Sequence, residues 1–250
     1  MPEKIKTGIY SGKVPSTTFI ENLINGLSNF YIVHIYGKQN SSIQYHSKNI
    51  KLFLIPKSKT LRFFYFIKNL CFALTFRTKK LLSFFKKIKN FSFREKCLNL
   101  ETVLPIMINP PDILHFQWIS PMLKIENFNG DFKKVLSLRG SQINMNPISS
   151  KIIADTYVRA FKNIDAFHSV SDDIKKLSRN YIKKTKPVKV IKPAVDKIYL
   201  KFSNKYWRYD INEKLKIISV GTNRWKKGFT YSLDSMRLLA EKKIKFSYTI

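Results

Sequence analysis

Arg224, Lys226, Lys227 and Gly228 stand together between an apolar run and a helical repeat, a placement suited to holding an anion. Ile217, Ile218 and Val220 have the character of a short buried strand, and Gly221 closes it where the chain must turn. Phe229, Leu233, Met236 and Ala240 then recur at helical spacing, and a second strand follows toward Ile250. Cations and free backbone N–H groups therefore gather at a helix N-terminus, where the helix dipole also favours negative charge. A diphosphate suits that chemistry. An ordinary solvated basic turn accounts for the same residues without a ligand.

Other groups with chemical potential lie upstream. Residues 113–118 read as a strand that carries His115, Gln117 and Trp118 to the edge or mouth of a sheet, His115 being either ligand-facing or a core histidine. Residues 135–138 form another strand, and Arg139 in the loop after it could grip a phosphate or carboxylate as a charged fork. His168, on a strand at 165–170, packs or lines a cleft; Ser171, Asp172 and Asp173 have the pattern of a helix cap.

The elements that must position these groups alternate in type. Residues 5–10 suit a first strand, with Ser11 and Gly12 opening the loop after it. A helix follows, capped by Thr17 or Thr18, with Glu21 in its first turn and a buried stripe of Phe19, Leu23 and Leu27 or of Ile20 and Ile24. Residues 31–36 are the second strand, 157–164 continue a helix, and 188–191 are the last strand of this half. Alternating strands and helices predict an α/β fold with a parallel sheet, and such sheets bind ligands beyond the carboxyl ends of their strands. The Gly12 loop therefore borders a site.

Residues 57–96 break the alternation. Phe63, Phe64, Tyr65, Phe66, Phe84 and Phe85 are interleaved with Arg77, Lys79, Lys80, Lys86 and Lys87, and within the segment only Glu95 opposes the cations. Charges recur too often for a spanning helix, which needs about 20 mainly apolar residues. A helix pair lying on an anionic bilayer fits, and so does a pair that covers the sheet with its lysine stems reaching water.

Composition limits the function classes. The chain has 250 residues, 44% of them hydrophobic and 14% aromatic, which suits a packed globular core of one large or two small domains. Its 46 basic residues face 16 acidic ones, a net charge of +30 that calls for a polyanionic partner or records a Lys-, Ile- and Asn-rich composition. No helix-turn-helix, RNP-type strand or zinc finger is present, so no specific nucleic acid is expected and an anionic membrane is. Cys71 and Cys97 lie outside any metal-binding spacing, so no metal is expected and a reduced, cytoplasmic compartment fits. Met-Pro-Glu-Lys and the run after it lack the apolar core of a secretory signal.

Six segments, in order, resemble the family 4 glycosyltransferases of GT-B fold. They are TGIYSGKVPSTTFIENLINGL (7–27), PDILHFQW (111–118), VLSLRGSQIN (135–144), IDAFHSVSDDIKKL (164–177), VKVIKPAVDKIYLKF (188–202) and the strand–loop–helix at 216–250. The likeness is strongest to the branch that builds bacterial capsule, exopolysaccharide or colanic acid. It implies a Rossmann-like acceptor-side domain at 1–192, with 57–96 as an insert, a linker at 193–213, and the first βαβ unit of a donor-side Rossmann-like domain at 214–250.

The resemblance also implies roles. The substrates are a nucleotide-sugar donor and a saccharide or lipid-linked acceptor, with no separate cofactor, at the inner face of the cytoplasmic membrane. Gly221, Arg224, Lys227 and Gly228 hold the donor diphosphate, and Arg224 and Lys227 neutralise the leaving group electrostatically. Lys227 and Gly228 match the family pattern, whereas Gly221-Thr222 replaces the usual Gly-Arg, leaving Arg224 to supply the arginine. Gly12, His115 and Arg139 border the acceptor cleft; Arg139 stands where many relatives have a histidine, so a histidine's role does not transfer. The family's donor-gripping glutamates fall past residue 250, so the expectation is a C-terminally truncated chain without appreciable turnover alone. Its alternatives are a non-catalytic membrane- or polyanion-binding remnant and one half of a split enzyme.

Overall fold

The computed structural model describes residues 4–194 and 214–250. The expected linker, apart from Pro193 and Ala194, lies outside the described residues, as do residues 1–3. Two compact units part after Ala194.

The first unit is built on a seven-stranded parallel sheet: β1 (Lys6–Val14), β2 (Ile32–Gln39), β3 (Ile50–Ile55), β4 (Ile113–Phe116), β5 (Lys133–Leu138), β6 (Ala166–Ser169) and β7 (Val188–Val190). Their order across the sheet is β3-β2-β1-β4-β5-β6-β7. Neighbouring residues point to different cores, as the pleat requires. Ile9 and Ile35 join Ile20 and Ile24 of α1 (Thr18–Ser28) on one face, while Tyr10 and Tyr36 join Phe116, Leu136 and Phe167 on the other. Burial on both faces explains why these strands read as near-continuous apolar runs.

Three local expectations change. The strand begun at residues 5–10 runs on to Val14, and the register against β2 slips between Tyr10 and Gly12, so Ser11 and Gly12 form a bulge inside β1 and open no loop. Strand β3 has no counterpart in the sequence reading, because its burial is uneven and Lys51 interrupts its apolar run. Thr17 occupies the N-cap of α1 but makes no side-chain capping bond. Glu21 instead anchors the chain just before the helix: its carboxylate accepts from the Ser16 N–H at 2.6 Å and from the Tyr45 hydroxyl at 2.6 Å.

The 57–96 segment is two helices and the start of a third: α2 (Lys59–Phe76), α3 (Thr78–Lys87) and α4 (Phe93–Ile108). Ser92 caps α4 in a reciprocal box with Glu95. Buried Glu101 of α4 receives the Arg62 fork of α2, with Lys38 Nζ 3.7 Å away, so an ion pair pins α2 to the sheet layer. Among the described residues no helix is long and apolar enough to cross a membrane.

Shorter helices join the later strands: α5 (Ile119–Leu123), α6 (Ser141–Asn144), α7 (Asn146–Ser149), α8 (Lys151–Ala160) and α9 (Asp172–Ser178). The α9 cap is as read, Ser171 Oγ accepting from the Ile174 N–H at 3.2 Å. The second unit pairs β8 (Leu215–Ile218) in parallel with β9 (Phe246–Thr249) through α10 (Phe229–Glu241). That is one βαβ unit.

Candidate functional site

The sheet order reverses beside β1: the chain winds outward through β2 and β3, then restarts at β4 on the other side. Parallel α/β sheets open a crevice at such a reversal, because the connections on its two sides leave to opposite faces. A cavity of about 570 Å³ lies there, lined by Gly12 and Lys13 of β1, Lys38 of β2, Trp118 after β4 and Glu95 and Asn99 of α4. Gly12 is required by backbone geometry: its φ is +87°, and a Cβ would sit 3.1 Å from Pro121 Cγ. An aromatic wall with a few polar groups suits a small polar ligand.

His115 does not line that cavity. It faces a polar row across three strands. His115 Nε2 lies 2.9 Å from Ser137 Oγ, Ser137 Oγ lies 2.9 Å from His168 Nδ1, and His168 Nε2 lies 2.8 Å from the Ile191 carbonyl. Donor and acceptor counting orders the protons, since a carbonyl only accepts. His168 Nε2–H donates to Ile191, Ser137 O–H donates to His168 Nδ1, and His115 Nε2–H donates to Ser137. This order has His168 Nδ1 accepting, in line with the burial that lowers both histidines. Burial, then His168 and Arg139, push His115 down to about 3; burial is also the first cause lowering His168, opposed by the Ile191 carbonyl and aided by Arg139.

Arg139 completes this row. Its Nη2 donates to Gln117 Oε1 at 3.2 Å and more loosely to Ser137 Oγ at 3.4 Å, and its guanidinium stacks 4.7 Å from the Phe19 ring. Phe19 in turn meets Trp118 edge to face at 6.1 Å. Burial holds the guanidinium down to about 10, and among the described residues no carboxylate pairs with it. Arg139 and His168 wall a second cavity of about 460 Å³, whose other side is the apolar flank of α1. Sequence reasoning gave Ser137 no role and treated Gln117 only as a strand-end residue. Their part emerges only from strand register, which sets Ser137 opposite His168.

In the second unit, Gly221, Arg224, Lys227 and Gly228 do share one turn. Lys227 lies over Gly221, where a Cβ would meet its Cγ and Cδ at 3.5 Å, and Gly228 takes φ +71° as it enters α10. A helix leaves its first N–H groups without intrahelical partners, and here they begin just past Lys227. Arg224 and Lys227 are both exposed.

The cations named in 57–96 divide by environment. Lys79, Lys86 and Lys87 are exposed, Lys80 pairs with Asp131, and Arg77 is half-buried with its Nε unpartnered among the described residues. Helix α2 exposes Phe63, Phe64, Ile67 and Leu74, with 39–64% of each residue open to solvent. Cys71 and Cys97 are free thiols, and among the described residues no cluster of three or more His, Cys, Asp or Glu could hold a metal.

Fold and topology define the class as α/β and GT-B-like, a Rossmann-like unit on a seven-stranded parallel sheet and a second, smaller unit with one βαβ motif. Among solved structures the chain is similar to sucrose-phosphate synthase from Thermosynechococcus elongatus: TM-score 0.55 and 9% identity over 98% of this chain and 61% of that one. A second structure of that enzyme matches at TM-score 0.43 and 10% identity, over 79% of this chain and 95% of the other. The chain thus spans less than two thirds of the first structure's length, and at 9% identity the likeness shows the fold alone. Neither the protein-family models nor the curated proteins contain a match.

Proposed function

We propose that the protein is a glycosyltransferase, or the acceptor-side portion of one, acting on a nucleotide-sugar donor and a saccharide or lipid-linked acceptor in surface-polysaccharide synthesis. The observation that carries this reading is the 570 Å³ crevice at the reversal of strand order, framed by Gly12 and Trp118, in a chain that continues into a strand–basic loop–helix unit. In this reading the first unit receives the acceptor. Arg224, Lys227 and the first N–H groups of α10 take the donor diphosphate, stabilising negative charge as the sugar leaves.

Titration with nucleoside diphosphates tests the donor half. Binding should be weak, indifferent to the base, displaced by free diphosphate, and reduced about tenfold or more by Lys227→Ala. Unchanged binding in both Lys227→Ala and Arg224→Ala would remove this loop from the reading.

The same reading places the protein on the inner face of the cytoplasmic membrane through α2, which exposes Phe63, Phe64 and Ile67, and α3, which exposes Lys79, Lys86 and Lys87. Each lysine near an anionic surface contributes about 1 kcal/mol. Co-sedimentation with vesicles should therefore need anionic lipid, weaken with salt, and fall when Lys79, Lys86 and Lys87 become Glu. Equal binding to neutral vesicles, or none to either kind, would sink the membrane assignment.

A further inference from the structure

The second cavity has a feature that the crevice at Gly12 lacks: a buried positive charge with no counter-ion among the described residues. Arg139 is only 9% exposed, yet its partners are the neutral Gln117 and Ser137 and the face of Phe19. Arg139 Nε and Gln117 Nε2 are buried without hydrogen-bond partners among the described residues. A buried guanidinium is costly unless something negative offsets it, and both histidines beside it are neutral.

The cavity itself is amphiphilic. Arg139 and His168 stand at one end, with Lys192 also on the lining, while Phe19, Leu23 and Leu27 of α1 and the neighbouring Phe30 form an apolar flank. Phe30 is 70% exposed, so this flank continues to the surface. A free phosphate would satisfy the charge and leave the apolar flank wet; a neutral hydrocarbon would do the reverse. A molecule carrying an oxyanion on an apolar body satisfies both ends.

We propose that this cavity binds a long-chain phosphate, with the phosphate against Arg139 and the hydrocarbon along the Phe19–Phe30 flank of α1. This deepens the reading of the acceptor as lipid-linked and rests on it. It assigns the acceptor's phosphate to Arg139, and assigns Gln117 and Ser137 the task of holding that guanidinium in place. The neutral histidine row carries the network on to the Ile191 carbonyl and adds no competing negative charge.

Calorimetric titration of the full chain with decyl phosphate, inorganic phosphate and decyl maltoside, all below their micelle thresholds, tests the assignment without any donor present. Decyl phosphate should bind at least about tenfold more tightly than inorganic phosphate, and decyl maltoside should not bind. Arg139→Gln should lower decyl phosphate affinity about tenfold or more. Phe30→Ser, a surface change, should weaken decyl phosphate and leave inorganic phosphate as it was. Should Arg139→Gln fail to fold by circular dichroism, Arg139→Lys and Phe30→Ser carry the test.

Decyl maltoside binding as well as decyl phosphate, or an Arg139 variant that binds both phosphates normally, overturns the proposal. Equal, Arg139-dependent binding of the two phosphates would reduce the cavity to a free-anion site and overturn its lipid half. Because no turnover is measured, phosphate binding with no sugar transfer by the complete enzyme would refute the glycosyltransferase reading and leave the cavity's ligand standing.

Discussion

The two units place basic groups in opposite environments. In the first, Arg139 stacks against Phe19, held by Gln117, on the α1 face of the sheet, whose core includes Ile20, Ile24 and Ile35. In the second, Arg224 and Lys227 sit on an exposed turn, and α10 has no buried residue at all. Strand β8 alternates half-buried and exposed positions, leaving Ile218 at 71% and nearby Val220 at 88% exposure. A charge in the first setting is strong because water is excluded, and it must be matched. A charge in the second is screened by salt, so any anion held there depends on several weak contacts acting together.

The largest effect that could break this comparison is a core truncation. Phe116→Ala should destabilise the chain by about 3–5 kcal/mol, because a fully buried ring leaves a cavity. Leu239→Ala in α10, only half-buried, should cost about 1 kcal/mol or less. Denaturant melts of the two variants measure both. Equal losses would mean that the second unit has a core as demanding as the first.

A smaller effect sharpens the comparison by pH. His115 is pushed down to about 3 by burial, His168 and Arg139, and burial is the first cause lowering both His168 and His34. A histidine whose folded pKa is depressed binds fewer protons folded than unfolded. Its contribution is therefore complete above about pH 6.5 and is lost as pH falls below that. For His115 the loss approaches about 1.4 kcal/mol per pH unit between roughly 6 and 3. Melts at pH 7, 6 and 5 should fall steadily, and His115→Gln should flatten part of that slope. A pH-independent melt, or an unchanged slope in the variant, would show that the row accepts protons freely.

Much of the architecture was legible in the chain. The runs that became β1, β2, β4, β5, β6, β7 and β8 overlap their predicted positions; for the central strands of the large sheet, an apolar run buried on both faces is written directly in residue type. Strand β3 was not, since its partly exposed apolar run carries no such signature. The cap of α1 was narrowed to Thr17 or Thr18; Thr17 is the N-cap but makes no side-chain capping bond, while Glu21 ties down the preceding Ser16 N–H and is itself held by Tyr45.

For the site, local spacing determined the grouping of Gly221, Arg224, Lys227 and Gly228, because one turn before a helix brings neighbours in sequence together in space. It also marked Gly12 as a backbone position without a side chain beside a ligand site, although the residue lies in a bulge within β1 and not in a loop after it. Spacing could not join His115, Ser137 and His168, nor place Arg139 on Phe19. Those contacts cross 22, 31 and 120 residues of chain and depend on which strands pair, in which register, and on which face. Residue types supplied the charge and the rings; only the folded sheet, by excluding water from Arg139 and leaving it without a carboxylate among the described residues, decided where in the first unit an anion is needed.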